Sequence, residues 1–209
     1  MRDLYAYRSA QPWQAPTSEV YLVSRAGNVL PPEEHTRLVR EYLAAAETEK
    51  RPRRDNARVV VTGSFCEQPP LGLIKSIELA GCYIVDDDLI LVNRWLLDDV
   101  ATDGDPLQAL SQAFLHRSAS TASKYDARKE DKGRFLLDSV KRHAAEGVIF
   151  AAPSFCDPAL LERPMLQEVL AKHGIPYTAF KYAENTGQMA PIREQTGTFA
   201  DSIKLWSAA

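Results

Sequence analysis

The sequence contains few cysteines and lacks the common cofactor-binding motifs. Three cysteines in 209 residues, with no Cys-x-x-Cys pair, argue against a disulfide framework, a zinc knuckle and a thioredoxin-type redox loop. Neither a Gly-x-Gly-x-x-Gly fingerprint nor a Gly-Lys-Ser/Thr phosphate loop occurs, so neither a dinucleotide site nor a P-loop is predicted. Free thiols in such a chain serve either as core residues or as reactive or metal-binding groups.

Long apolar runs and a strong charge of either sign are also absent. The longest apolar run is far shorter than a membrane span, and residues 1–13 lack the basic-then-apolar order of a secretory signal. The net charge of −3 at pH 7 gives no reason to expect binding to nucleic acid or to an anionic membrane. These features predict a globular cytoplasmic protein.

The sequence does contain a repeated order of helix, glycine and apolar strand, at Gly81, Gly147 and Gly174. Strands that alternate with helices indicate a mostly parallel sheet with helices on its faces, which is a doubly wound α/β fold. Strands are predicted at 58–63, 82–87, 148–152 and 175–182, a strand or strand–helix unit at 89–97, and helices at 31–48, 71–80, 106–118, 128–146, 164–173 and 188–205.

These patterns divide the chain into a helical lead-in with a basic loop, 1–56, and an α/β domain, 57–209. The basic loop at 50–56 is interpreted as a solvated turn. The first residues show neither a helix cap nor a strand pattern, and they look like the end of a helix. We therefore expect the chain to be the later portion of a longer protein.

Cys66 and Cys156 each follow an apolar run, which places both at the carboxyl edge of the predicted sheet. In folds of this type, functional residues gather in the loops at that edge. Asp157 and Pro158 resemble a helix start, so Cys156 is predicted at a helix N-terminus, where the thiolate form is favoured. The alternative for both cysteines is a strand-end residue without chemistry.

Other chemistry-bearing residues carry weaker signals. Cys82 begins a strand and is predicted to be a small buried hydrophobic residue. The acidic run at 86–88 ends a strand, where it meets either a cation or only solvent. His116 is the histidine nearest a predicted strand-edge loop, while His35 and His143 are predicted on surface helices, so a Cys–His nucleophile pair has little support.

The stretch 153–201 resembles the C-terminal signature of the benzoyl-CoA reductase/2-hydroxyacyl-CoA dehydratase family. That signature begins with a strand that ends in Phe-Cys-Asp-Pro. A helix with an early proline follows, and then come Gly-Ile-Pro and a second strand. An acidic residue and Gly-Gln lead from this strand into a helix that carries an arginine. The corresponding residues here are Phe155–Pro158, Pro164, Gly174–Pro176, Glu184, Gly187-Gln188 and Arg193. The stretch 62–95 fits the preceding repeat and looks especially like the smaller subunits of ATP-dependent benzoyl-CoA reductases.

The resemblance implies a Rossmann-like half of a two-domain subunit and a site for a 4Fe–4S cluster shared with the other, N-terminal half. Cys156 matches the position of the C-terminal cluster ligand. Many dehydratase relatives carry a cysteine just after the stretch that corresponds to 85–95, and this sequence has none there. Cys66 either serves as a ligand in its place or lines the substrate pocket. Glu184, Gln188 and Arg193 are implied to bind or support the acyl-CoA substrate.

The activity that the resemblance implies is delivery of low-potential electrons from the cluster to the ring of an aromatic acyl-CoA, in an anaerobic and oxygen-sensitive enzyme. The implied partners are a homologous cluster subunit, activator subunits that hydrolyse ATP, and ferredoxin as electron donor. The isolated chain is then expected to be inactive. Two alternatives stay open: a 2-hydroxyacyl-CoA dehydratase component, or a non-catalytic scaffold subunit that lacks the N-terminal cluster ligands.

Overall fold

Short apolar segments form the strands of the computed structural model, which describes residues 1–63, 68–89, 99–116, 133–183 and 189–207. The strands are β1 (Ala57–Thr62), β2 (Cys82–Asp87), β3 (Gly147–Pro153) and β4 (Tyr177–Tyr182). The helices are α1 (Arg2–Ala10), α2 (Thr17–Ala26), α3 (Pro32–Thr48), α4 (Leu71–Leu79), α5 (Pro106–His116), α6 (Arg134–Arg142), α7 (Asp157–Lys172) and α8 (Met189–Ser207). Most of the strand predicted at 89–97 lies outside the described residues.

The strands are all parallel and lie in the order β2-β1-β3-β4. The chain thus moves from β1 to one side and then crosses over to the other side for β3 and β4. The position between β1 and β3 is therefore the topological switch point, where ligands bind in open α/β sheets. The predicted doubly wound α/β fold is confirmed. Because Thr62 pairs with Phe150, the loops that follow β1 and β3 leave the same edge of the sheet.

Side chains alternate between the two faces of the sheet, and each face has its own helices. One face packs against α4 and α8, and the other against α6 and α7. Each fully buried aliphatic or aromatic side chain contributes about 1.5–3 kcal/mol to stability. The strand residues of the first face include Val59, Val61, Ile84, Ile149 and Tyr182, and those of the second include Val60, Val148 and Phe150.

The first three helices form a small core of their own around Leu4, Ala15, Val20 and Val39. They also lie against the rest of the fold, because α1 packs on β2 and α2 packs on α4. Among the described residues, none of the helices is both long and apolar enough to cross a membrane.

The basic loop after α3 is exposed at Arg53 and Arg54, as expected for a solvated turn, yet it is anchored. The backbone N–H of Arg54 donates to the Tyr83 hydroxyl at 2.7 Å, and the Arg53 guanidinium lies 4.9 Å from the centre of the Trp13 ring. The loop therefore has a fixed position against β2 despite its charge.

Helix α7 begins well before the start predicted at Pro164. Asp157 and Pro158 lie in its first turn. Backbone N–H groups have no partner within the helix there, so a proline, which lacks this group, loses no hydrogen bond. Pro164 therefore lies inside the helix, exposed to solvent. The helix therefore begins at the Asp157-Pro158 pair, which the sequence also marked as a helix start, and not at Pro164.

Helix α6 ends at Arg142, before the predicted stop at Gly147. Ala144 has a left-handed backbone with φ of +47°, and the Ala145 N–H donates to the Val140 carbonyl at 2.9 Å. These features form the Schellman pattern that usually has glycine at the left-handed position. Gly147 instead begins β3, where it allows α8 to pack closely.

Replacing Gly147 with alanine should destabilise the fold by about 1–3 kcal/mol, because the new methyl group has no room. A Cβ at this position would lie 2.7 Å from the Phe199 ring and 2.8 Å from Ile203 Cδ1. Urea denaturation measures the change. Gly72→Ala in α4 is the matched control: a Cβ there meets nothing within 4 Å, so we expect a small gain in stability. Equal effects of the two substitutions would contradict the packing argument.

Candidate functional site

Cys156 lies between β3 and α7, at the carboxyl edge of the sheet. It is the N-cap residue of α7: its N–H donates to the Pro153 carbonyl at 3.1 Å, and its carbonyl accepts from the Leu160 N–H at 3.0 Å. Its side chain is 0% exposed and belongs to a small apolar cluster with Ala152 and Ala159. The placement predicted from the sequence, at a helix N-terminus after a buried strand, is confirmed.

This position brings a thiol to the start of a helix. The N–H groups of the first turn of α7 have no partner within the helix, and they carry partial positive charge beside Cys156. The neighbouring side chain, Phe155, is 93% exposed although it is large and apolar. Leu161 and Met165 on α7 are also exposed. The buried thiol of Cys156 thus lies next to apolar side chains that are exposed to solvent.

The neighbouring strand β1 ends under close constraints at the same edge. Gly63 has φ of +114°, and a Cβ there would lie 3.2 Å from the Ala151 carbonyl oxygen of β3. The Asp88 carboxylate accepts hydrogen bonds from the Thr62 hydroxyl at 2.7 Å and from the Gly63 N–H at 3.1 Å. The ends of β1 and β2 are thereby held together, and Gly63 leaves room for the close approach of β3. Cys66, the second predicted thiol of this edge, lies outside the described residues.

Gln68 belongs to the same loop, between β1 and α4. Its side-chain Nε2 and Oε1 are both buried, and neither has a hydrogen-bond partner among the described residues. The next residue is fixed in place, because the Pro69 carbonyl accepts a hydrogen bond from the Tyr21 hydroxyl at 2.7 Å. Nothing in the local sequence indicates that the Gln68 amide is buried, since a polar residue in a predicted loop is ordinarily solvated. Its burial depends on tertiary packing that no local pattern shows.

The predicted substrate-binding residues follow β4 at the same edge. Glu184 and Gln188 lie outside the described residues, so their placement stays a prediction. Arg193 is described, near the start of α8, and its side chain is exposed. Its neighbours Ile192 and Thr196 are buried in the helix interface. The structure thus places the Arg193 side chain at the surface, and its role in binding stays a prediction.

The acidic run at the end of β2 is not solvated throughout, because Asp87 is only 3% exposed. Its Oδ2 lies 2.5 Å from Nη1 of Arg8, a residue of α1 that is 1% exposed. The same guanidinium lies 3.7 Å from Asp86 and 4.5 Å from the centre of the Tyr5 ring. Burial acts to lower the pKa of Arg8, but Asp87 and Tyr5 outweigh it and the pKa is raised. The cation that meets the acidic run is therefore an arginine of the chain itself.

His143 joins the same network and is half-buried, although the sequence predicted it on a surface helix. Its Nδ1 lies 2.7 Å from Ser9 Oγ, and its Nε2 lies 3.4 Å from Asp86 Oδ2. Burial is the main cause that lowers the pKa of His143, and Arg8 acts in the same direction, while Asp86 acts to raise it. The neutral form is therefore favoured in the folded chain.

Stability should fall on acidification in a manner that depends on His143. Since its pKa is lowered in the folded state, the unfolded chain takes up the proton first, near pH 6.5, and unfolding is favoured as the pH falls. When the pH is lowered from about 7.5 to about 5.5, the free energy of unfolding should fall in both proteins. The fall should be about 1 kcal/mol smaller in His143→Asn than in the wild type. Urea denaturation at each pH measures this. The exposed His173 supplies the control variant His173→Asn, and an unchanged pH profile for His143→Asn would contradict the argument.

Comparison with known proteins assigns the chain to a family. The family described as 2-hydroxyglutaryl-CoA dehydratase, D-component, matches residues 1–203. The chain belongs to this family. The resemblance of the stretches 62–95 and 153–201 to the benzoyl-CoA reductase and dehydratase proteins is thereby confirmed.

The curated relatives of the chain include a reductase subunit and dehydratase subunits. The chain is 64% identical, over 99% of its length, to a benzoyl-CoA reductase subunit of Thauera aromatica. It is 28% identical over 97% of its length to the beta subunit of (R)-2-hydroxyglutaryl-CoA dehydratase of Acidaminococcus fermentans. It is 27% identical over 90% to the (R)-phenyllactyl-CoA dehydratase beta subunit of Clostridium sporogenes. The chain spans about half the length of these curated relatives, covering 54%, 53% and 49% of them.

The 4Fe–4S cluster that the family resemblance implies needs several cysteine thiolates. The described residues contain Cys156 at the carboxyl edge and Cys82 at the amino end of β2. Cys82 is buried as predicted, and burial raises its pKa to about 12, so it is a poor metal ligand at neutral pH. No group of three or more His, Cys, Asp or Glu side chains suited to a metal ion occurs within the described ranges. These residues thus supply one candidate thiolate and do not form a complete cluster site.

Proposed function

We propose that this chain is part of a subunit of an enzyme that reduces the ring of an aromatic acyl-CoA, with its site at the edge between β1 and β3. The observation that carries the proposal is the 64% identity, over 99% of the chain, to the benzoyl-CoA reductase protein of Thauera aromatica. The relatives named as dehydratase subunits are only 24–28% identical. The burial of Cys156 at the switch point supports this edge as the site.

Cys156 is proposed to supply one thiolate to an iron–sulfur cluster whose other ligands come from outside the described residues. Cys66 is a candidate for one of them. Such a cluster, when bound, supplies single electrons at low potential. The apolar cluster around Cys156 would keep water away from its sulfur, and the N-terminus of α7 would place partial positive charge beside it. Glu184, Gln188 and Arg193 are proposed to support the acyl-CoA on the β4 side.

The proposed partners are a homologous cluster subunit, activator subunits that hydrolyse ATP, and ferredoxin as electron donor. Two observations support a need for partners: the relatives are themselves named as subunits, and the sequence contains no phosphate loop for ATP. The exposed Phe155 beside the buried Cys156 agrees with a site that is completed by other protein.

The second candidate function is a component of a 2-hydroxyacyl-CoA dehydratase, which the match to the D-component family favours. The two reactions differ in whether the substrate gains electrons. A ring reductase adds electrons and protons to its substrate, whereas a dehydratase removes the 2-hydroxyl group together with a neighbouring hydrogen as water, without net reduction.

The experiment that separates these functions gives the assembled enzyme benzoyl-CoA or a 2-hydroxyacyl-CoA, without oxygen and with ATP and a low-potential reductant. We expect the aromatic absorbance of benzoyl-CoA to disappear and the hydroxyacyl thioester to stay unchanged. Elimination of water from the hydroxyacyl thioester, with intact benzoyl-CoA, would replace the reductase proposal with the dehydratase function. The chain would be a scaffold subunit if it assembles with its partners but its removal changes neither reaction.

A further inference from the structure

The side-chain amide of Gln68 is buried without a partner at the edge of the proposed site. Its Nε2 can donate two hydrogen bonds and its Oε1 can accept two, yet neither atom contacts a partner within the described part of the chain, and both are inaccessible to solvent. A buried polar group that lacks its hydrogen bonds destabilises the folded protein, because it has given up its bonds to water. Native proteins keep few such groups, and each one requires a physical explanation.

The position of Gln68 suggests that explanation. It lies in the loop that joins β1 to α4, and β1 borders the switch point where open α/β sheets bind ligands. The backbone beside it is held by the hydrogen bond from the Tyr21 hydroxyl to the Pro69 carbonyl, which limits its movement toward solvent. Across the switch point, Cys156 begins α7. An unsatisfied amide is thus held on the β1 side of the edge to which the proposed function assigns the substrate.

We propose that Gln68 is a substrate-binding residue whose amide is satisfied by the acyl-CoA thioester. The inference rests on the proposed function. A carboxamide presents a donor and an acceptor side by side, which matches the carbonyl and N–H groups along the acyl-thioester arm of such a substrate. The unmade hydrogen bonds lower the stability of the free chain, and binding forms them. Gln68 therefore lowers the folding stability of the free chain and raises its affinity for the acyl-CoA.

The test replaces Gln68 with methionine, which has a similar length and shape but no polar atoms. Because an unsatisfied amide is removed, the denaturation midpoint of the free chain should rise. Because the hydrogen bonds to the ligand are lost, the dissociation constant for benzoyl-CoA should rise about ten-fold or more. Both quantities are measured on the same samples, by urea denaturation and by equilibrium binding without turnover.

Thr196→Val is the matched control. Thr196 lies half-way along α8, is 0% exposed, and its Oγ1 also lacks a hydrogen-bond partner among the described residues. This substitution should not lower stability, and it should leave benzoyl-CoA affinity unchanged. An equal loss of affinity in both variants would overturn the inference, since the effect would then not be local to Gln68.

Two other results would overturn it. A Gln68→Met chain that is less stable than the wild type would mean that the amide has partners in the free protein. A more stable variant with unchanged affinity would mean that the amide has no role in substrate binding. A wild-type chain that does not bind benzoyl-CoA would instead overturn the proposed function itself, and the inference with it, so the two failures are distinguishable.

Discussion

Replacing Cys156 with serine is expected to abolish iron–sulfur cluster assembly in the enzyme that contains this chain. Cys156 is the one described cysteine at the carboxyl edge, it is fully buried, and it lies at the N-terminus of α7. A serine hydroxyl stays protonated where a thiolate forms, so the ligand is lost while the shape of the side chain is kept. Iron and acid-labile sulfide, measured per assembled enzyme after anaerobic reconstitution, should fall to background.

Cys82→Ser is the matched control for this experiment. Cys82 is as buried as Cys156 but begins β2 at the opposite edge of the sheet, and its raised pKa keeps it a neutral thiol. The cluster content of this variant should equal that of the wild type. Equal loss in both variants would contradict the assignment of the two edges. No iron in the wild-type assembly would instead favour the scaffold function.

The placement of Cys156 could be predicted because its signals are local. A parallel strand that is buried on both faces appears in the sequence as a continuous apolar run, and β3 is such a run. The acidic residue and proline that follow begin a helix for reasons confined to a few neighbouring residues. The edge of the sheet on which the cysteine lies then follows from the direction of the chain, which the alternation of helices and strands indicates.

The buried polar groups could not be predicted, because they depend on contacts between distant parts of the chain. Arg8 and Asp87 meet only when α1 packs on β2, and neither residue differs from a solvated one in its local sequence. The amide of Gln68 is buried although it belongs to a loop, where a polar side chain is expected to meet solvent. The end of α6 also differs from the prediction, which placed the helix stop at Gly147. Ala144 takes the left-handed conformation that ends the helix instead.

The second large effect is expected at Arg8, where substitution by methionine should destabilise the chain by about 3–5 kcal/mol. The Arg8 guanidinium is 1% exposed and lies 2.5 Å from Asp87, so its removal leaves a buried carboxylate without its arginine. Methionine keeps the length and the apolar contacts of the arginine stem, which isolates the effect of the charge. Urea denaturation measures the loss.

A double-mutant cycle with Asp87→Asn tests whether the loss arises from the pair. Because the neutral amide no longer needs a cation, Arg8→Met together with Asp87→Asn should cost less than the sum of the two single substitutions. Arg8→Lys keeps the charge but lacks the planar guanidinium, and it should be intermediate. Additive effects of the two single substitutions would show that Arg8 acts through packing alone.

The Arg8 pair also bears on the site, because Asp87 is followed by Asp88, whose carboxylate accepts hydrogen bonds from Thr62 and Gly63 at the end of β1. Loss of Arg8 should therefore loosen the β1 side of the switch point before the whole sheet opens. In Arg8→Met, hydrogen exchange of the Gly63 amide should accelerate more than exchange of the β3 amides that pair with β4. Equal acceleration at both places would mean that Arg8 stabilises the fold globally and has no particular role in holding the edge where Cys156 and Gln68 lie.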